Sequence, residues 1–175
     1  FVLDRSASMN ETFGGKVPDK ATPAKSQVAR RLLSEFVNNR PHDLFGVVGF
    51  STQPFFISPL TEHKSATQAA INSLTSPGLA FTNVAKGLGM GLSYFEDQPH
   101  TGSRVIVLVS DGAATLDHRA QRVLREWFER YQVSLYWFFL RTENGLGITS
   151  EPETARDDNP RVMPERYLDQ FFRTL

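Results

Sequence analysis

The 175 residues include no cysteine, which excludes disulfides, zinc–thiolate sites and cysteine nucleophiles and fits cytosol and periplasm alike. An excess of charge is missing too, since nineteen basic and nineteen acidic residues cancel and the pI is near 7.1. That balance argues against a nucleic-acid or anionic-membrane binder, both of which draw on a positive field. No apolar stretch approaches the ~20 residues that cross a bilayer, so a membrane enters only through segments outside this chain. The absence of GxxxxGK[ST] removes the phosphate-binding P-loop.

What remains is enough chain for one domain over residues 1–175 with a substantial core. Its apolar opening, Phe1-Val2-Leu3, is short against a usual strand of about 5–6 residues. The opening reads as the end of a strand begun upstream, and the chain as a piece of a longer protein. Strand-like and helix-like segments then alternate. A helix is expected over Ala24–Asn39 with Val28, Leu32, Leu33, Phe36 and Val37 on one stripe. A doubly buried strand at Leu44–Phe50 is followed at once by Phe55-Phe56-Ile57 between two prolines, the pattern of an edge hairpin. A short helix over His63–Leu74 meets the breaker Ser76-Pro77-Gly78, and a second runs over Asn83–Phe95. Arg104–Val109, His118–Tyr131, Val133–Leu140 and a final helix around Tyr167–Leu175 complete the order β-α-β-β-α-α-β-α-β-α. Strands separated by helices predict a doubly wound, mostly parallel α/β sheet with one antiparallel edge strand and helices on both faces. The aromatic run Tyr136-Trp137-Phe138-Phe139 is expected to be buried, as on a central strand covered on both sides.

Ligands of such sheets bind beyond the carboxyl ends of the strands, and two chemistry-bearing segments fall there. In Asp4-Arg5-Ser6-Ala7-Ser8 a carboxylate and two hydroxyls alternate, which in extended backbone turns all three to one side. Oxygen ligands of that kind suit a small hard cation, although Ser and Asp also simply make turns. Ser110-Asp111-Gly112 closes the strongest buried strand, and Thr82 precedes a helix as either a further oxygen or its N-cap.

Asp4, Ser6, Ser8, Thr82 and Asp111 together resemble the metal-ion-dependent adhesion site of a von Willebrand factor A domain: DxSxS, a distant Thr, then Asp-Gly after a later strand. The resemblance spans nearly the whole chain, and Ala80-Phe81 stands before Thr82 where many relatives have Gly. It implies a Mg2+ site, with Mn2+ or Ca2+ as substitutes, whose hydroxyls ligate directly and whose open position takes an acidic side chain from a partner protein. It implies a binding module and not an enzyme. The stretches Asp43–Phe50 and Ser58-Pro59-Leu60-Thr61 further resemble bacterial, membrane-anchored domains encoded beside MoxR-type AAA+ ATPases, among them the Bat proteins and the MxaC-like proteins of methanol dehydrogenase maturation. That likeness implies an accessory role in assembly or metal insertion, with the ATPase or a client enzyme as partner and the domain in periplasm or cytoplasm.

The same residues admit two other readings. A metal-dependent hydrolase would need a nucleophile or base beside the cation, and no Lys or His stands out for the role; His118, seven residues after Asp111, is the nearest candidate in sequence. A purely structural domain is the third reading. Gly87-Leu88-Gly89-Met90-Gly91 lies within a helix and points to close helix packing, not to a nucleotide loop. Asp157-Asp158 is expected to be a solvated loop pair.

Overall fold

The computed structural model describes residues 1–75, 78, 81–112 and 114–175. In chain order it contains β1 Val2–Asp4, α1 Lys25–Asn38, β2 Phe45–Phe50, β3 Pro54–Thr61, α2 Lys64–Ser73, α3 Val84–Ser93, β4 Arg104–Ser110, α4 His118–Tyr131, β5 Val133–Phe139 and α5 Pro164–Phe172. The strands form one sheet in the order β3-β2-β1-β4-β5. Only β3, bonded to β2, runs antiparallel. Element types and order match the expectation from the sequence. Ser76 and Pro77 of the expected breaker, and Ala80, lie outside the described residues.

Alternation along the strands sends consecutive side chains into two cores. Val2, Val48, Phe50, Ile106 and Leu108 pack with Leu88, Leu92, Leu124, Phe128, Leu168 and Phe171 from α3, α4 and α5. On the opposite face Leu3, Val47, Phe45 and Val109 meet Ala29, Leu33, Val37, Ala70 and Ile71 from α1 and α2. The glycines of α3 set how closely it approaches the sheet. A Cβ at Gly87 would stand 2.7 Å from the Phe50 ring, and one at Gly91 2.7 Å from Val2 Cγ2. Gly89, on the other side of the helix, would meet nothing nearer than 4.0 Å.

Two expectations about burial are corrected. On α1 the buried ridge is Lys25, Ala29, Leu33 and Val37, while Leu32 and Phe36 are exposed. The helix touches its layer along one i, i+4 row, and Phe36 instead packs edge-on against Phe1 and Phe45 at the margin. On β5, Tyr136 and Phe138 are exposed at 58% and 47%. β5 is an edge strand, and α1 and α2 pack over the β1 and β2 side of that face. Among the described residues only its other face is covered, where Trp137 meets Phe172 edge-on at 5.2 Å.

Candidate functional site

Asp4 ends β1, 3% exposed and in register with Phe50 of β2. The chain does not continue as a strand beyond it. Arg5 N donates to Phe50 O at 2.8 Å, and Ala7–Asn10 coil into a short 3-10 turn. Ser6 N donates to Asp4 Oδ1 at 2.7 Å, and the hydroxyl oxygens of Ser6 and Ser8 stand 3.2 Å apart. The two serine hydroxyls therefore come together through a 3-10 turn that follows the Asp4 carboxylate, and not through strand alternation. Arg5 is directed to β3, its guanidinium carbon 5.1 Å from the centre of the Phe55 ring.

The carboxyl end of β4 completes this cluster. Ser110 Oγ donates to Asp4 Oδ2 at 2.6 Å and accepts from Gly112 N at 3.1 Å. Gly112 turns the chain at a φ of +87°, a region that glycine enters freely, and a Cβ there would collide with Glu165 Cγ at 2.8 Å. Between them, Asp111 is 7% exposed. Its Oδ2 accepts from Lys25 Nζ at 2.8 Å, and the same ammonium donates to Thr142 Oγ1 at 2.7 Å. Its Oδ1 is buried and has no hydrogen-bond partner among the described residues.

Lys25 is the residue the motif did not reveal. It opens α1 with no exposed surface, and its backbone N–H is held by Glu11 O at 2.9 Å. A signal for it does exist in the sequence, because Lys25 is in register with Ala29, Leu33 and Val37 on the buried ridge. A lysine in such a row must find an anion, since an unpaired buried charge is strongly unfavourable. Ser110, Thr142 and Glu165 likewise join the site without belonging to the motif.

Thr82 lies on a third loop and is half-buried. The backbone of that loop is tied to the loop after β1 and to the β2–β3 turn: Gly78 N donates to Arg5 O at 2.6 Å and Asn83 N to Ser51 O at 2.7 Å. The N-cap of α3 is Asn83, whose Oδ1 accepts from Lys86 N at 3.1 Å. That observation removes the capping role considered for Thr82. Phe81 beside it is 77% exposed.

Charge at the site is concentrated and largely withdrawn from water. Burial raises the Asp4 carboxyl to about 6, against lowering hydrogen bonds from Ser110 and Ser6, and the nearby Asp111 charge adds to the rise. Burial also lifts Glu165, with the Asp111 charge contributing. Among the described residues no three His, Cys, Asp or Glu side chains gather as a metal cluster. A cation here would therefore draw on hydroxyls beside Asp4 and Asp111. His42, His63, His100 and His118 are all exposed. Asp157 accepts from Thr154 N and Oγ1, and Asp158 from Tyr167 Oη, so that pair braces its own loop.

A family model described as "von Willebrand factor type A domain" matches residues 1–113. Among solved structures, BatB from Bacteroides thetaiotaomicron aligns with a TM-score of 0.58 at 20% identity, over 77% of this chain and 62% of that one. An aerotolerance-related membrane protein from Bacteroides fragilis, with multiple mutations to serine, aligns at 0.59 and 14% identity over 99% and 96% of the two chains. The PilB minor pilin from Streptococcus sanguinis aligns at 0.55 and 24% identity over 68% of this chain and 31% of its own. The chain thus spans under two thirds of BatB and under one third of PilB. A search of the curated proteins finds no match.

Proposed function

The chain belongs to the von Willebrand factor type A domain family, and we propose that it binds an acidic side chain of a partner protein through a divalent cation held by Asp4, Ser6, Ser8, Thr82 and Asp111. The family and its Bat and pilin neighbours suggest a protein-interaction or adhesion module. The cation dependence rests on one observation above all: Asp111 Oδ1 is buried, has no hydrogen-bond partner among the described residues, and lies close enough to Asp4 for the two charges to interact. A buried carboxylate oxygen without a donor is strongly unfavourable, and a cation relieves it. Two carboxylates with neutral hydroxyls form a donor set of the oxygen-only kind that Mg2+ accepts, with Mn2+ and Ca2+ as substitutes. When bound, such an ion supplies an electrophilic position for a carboxylate.

Each residue has its own part in this reading. Ser110 fixes the Asp4 carboxylate through Oδ2 and the Ser6 amide fixes it through Oδ1. The 3-10 turn presents the two serine hydroxyls as a pair. Exposed Phe81 beside Thr82 offers apolar contact at the rim. A hydrolase would need a free base, whereas Lys25 is engaged as a donor to Asp111 and Thr142; Mg2+-dependent phosphatase turnover would reinstate that reading.

Calorimetric titration with Mg2+, followed by partner capture in Mg2+ and in EDTA, tests the proposal. Asp4→Asn keeps an acceptor for Ser6 N while removing the charge, and should abolish both signals with the melting temperature little changed. Partner affinity that is the same in EDTA would overturn it. The narrower idea of a bacterial accessory protein acting with a MoxR-type AAA+ ATPase, or on a methanol dehydrogenase-like client, rests on the short stretches Asp43–Phe50 and Ser58–Thr61. Failure of such an ATPase to co-purify with the full-length protein would remove it.

A further inference from the structure

Resting on the cation-site reading above, we propose that Lys25 is an internal competitor for that site: it neutralises Asp111 when no divalent ion is bound, and so lowers the site's affinity for one. Its ammonium is fully buried and reaches Asp111 Oδ2 at 2.8 Å. One carboxylate oxygen is thus committed to the protein, and Oδ1, without a partner among the described residues, remains for an ion or an ion-bound water. A dication arriving at Oδ1 sits on the same carboxyl group as the ammonium, and like charges at such range oppose one another strongly in a dry site.

The consequence is a domain that does not need the ion to fold. A metal site built only of carboxylates leaves buried like charges when empty; here Lys25 offsets one of them. The second bond of Lys25, to Thr142 Oγ1 at 2.7 Å, extends the competition to the loop after β5. Weakening the hold of Asp111 on the ammonium changes what anchors Thr142, so occupation of the site is transmitted to a loop at its rim. Glu165 also faces Asp111, but it is the same residue in every variant below and cancels from the comparison.

Mn2+ titration followed by the electron paramagnetic resonance of the free ion tests the idea in three proteins. Lys25→Gln, which keeps a hydrogen-bond donor but no charge, should bind Mn2+ about tenfold tighter or more than the unaltered chain, and Lys25→Arg should stay close to it. The Gln variant should also melt lower in EDTA and gain more on adding Mn2+. Binding only by the Gln variant would support the competition at its strongest. Equal or weaker Mn2+ binding by a folded Gln variant would overturn the role of Lys25 alone, while no binding by any of the three would overturn the cation site with it. Should the Gln variant not fold, the unaltered chain decides by 15N NMR of its lysine ammonium groups. A slowly exchanging signal in EDTA that shifts on adding Mg2+ supports the competition, and one unmoved by saturating Mg2+ refutes it.

Discussion

Lys25 and Asp111 are 86 residues apart in sequence, yet their side chains meet at 2.8 Å with almost no solvent access to either. The pair joins the first turn of α1 to the carboxyl end of β4. It is therefore both a structural tie and part of the candidate site.

Removing one partner should be costly. Asp111→Ala strands a fully buried ammonium, and urea unfolding should show a loss of about 3–5 kcal/mol. The double variant Lys25→Met with Asp111→Leu should recover most of the loss, because apolar replacement of a buried pair is often neutral. Asp111→Ala with unchanged stability would mean that the pair is not formed in solution.

The α3 glycines divide by face. Gly87→Ala and Gly91→Ala drive a methyl group to 2.7 Å from Phe50 and Val2, and each should destabilise by about 1–3 kcal/mol through overpacking. Gly89→Ala enters open space and should stabilise by about 0.5–1 kcal/mol through helix propensity. Thermal melts of the three variants check the order, and a stabilising Gly91→Ala would contradict the close packing of helix on sheet.

Tyr94 predicts an alkaline sensitivity. Its phenol donates to Val47 O at 3.2 Å, and burial pushes its pKa from the ordinary 10 up to about 12. The folded chain keeps this proton where the unfolded chain has lost it, so the contribution is complete below pH 10 and falls away as pH rises towards 12. Tyr94→Phe lacks the ionisation but also lacks the hydrogen bond. Its stability deficit relative to the unaltered chain should therefore be smaller at pH 11 than at pH 9, as read from urea midpoints.

The uncovered side of β5 should tolerate change that the core beneath its covered side does not. Phe138→Thr alters an exposed position on an edge strand and should shift stability by no more than about 0.5 kcal/mol. Phe171→Ala empties a position that is 5% exposed in the core and should cost about 3–5 kcal/mol. A large loss at Phe138 would show that this face is covered in solution.

Local patterning made most of the fold legible: the apolar periods, the proline-flanked hairpin and the glycines of α3 each act over a few residues. Burial was less legible where it depends on which neighbours arrive. Tyr136 and Trp137 are adjacent and both aromatic, yet one faces solvent and the other packs against Phe172. Phe36 continues an apolar stripe and still lies at the margin, because α1 presents a single row to its layer.

The sequence by itself determined the element order and the parallel sheet, and it set Asp4 and Asp111 where strands finish, since these follow from chain-local periodicity. Only tertiary structure decided that Ser6 and Ser8 converge through a 3-10 turn, that Asn83 and not Thr82 caps α3, and that β5 is an edge. It alone brought a lysine to Asp111 and left one carboxylate oxygen without a donor among the described residues. The reason is physical: a buried charge chooses its counter-charge by proximity in the folded chain, and nothing in a linear motif encodes what lies across the core.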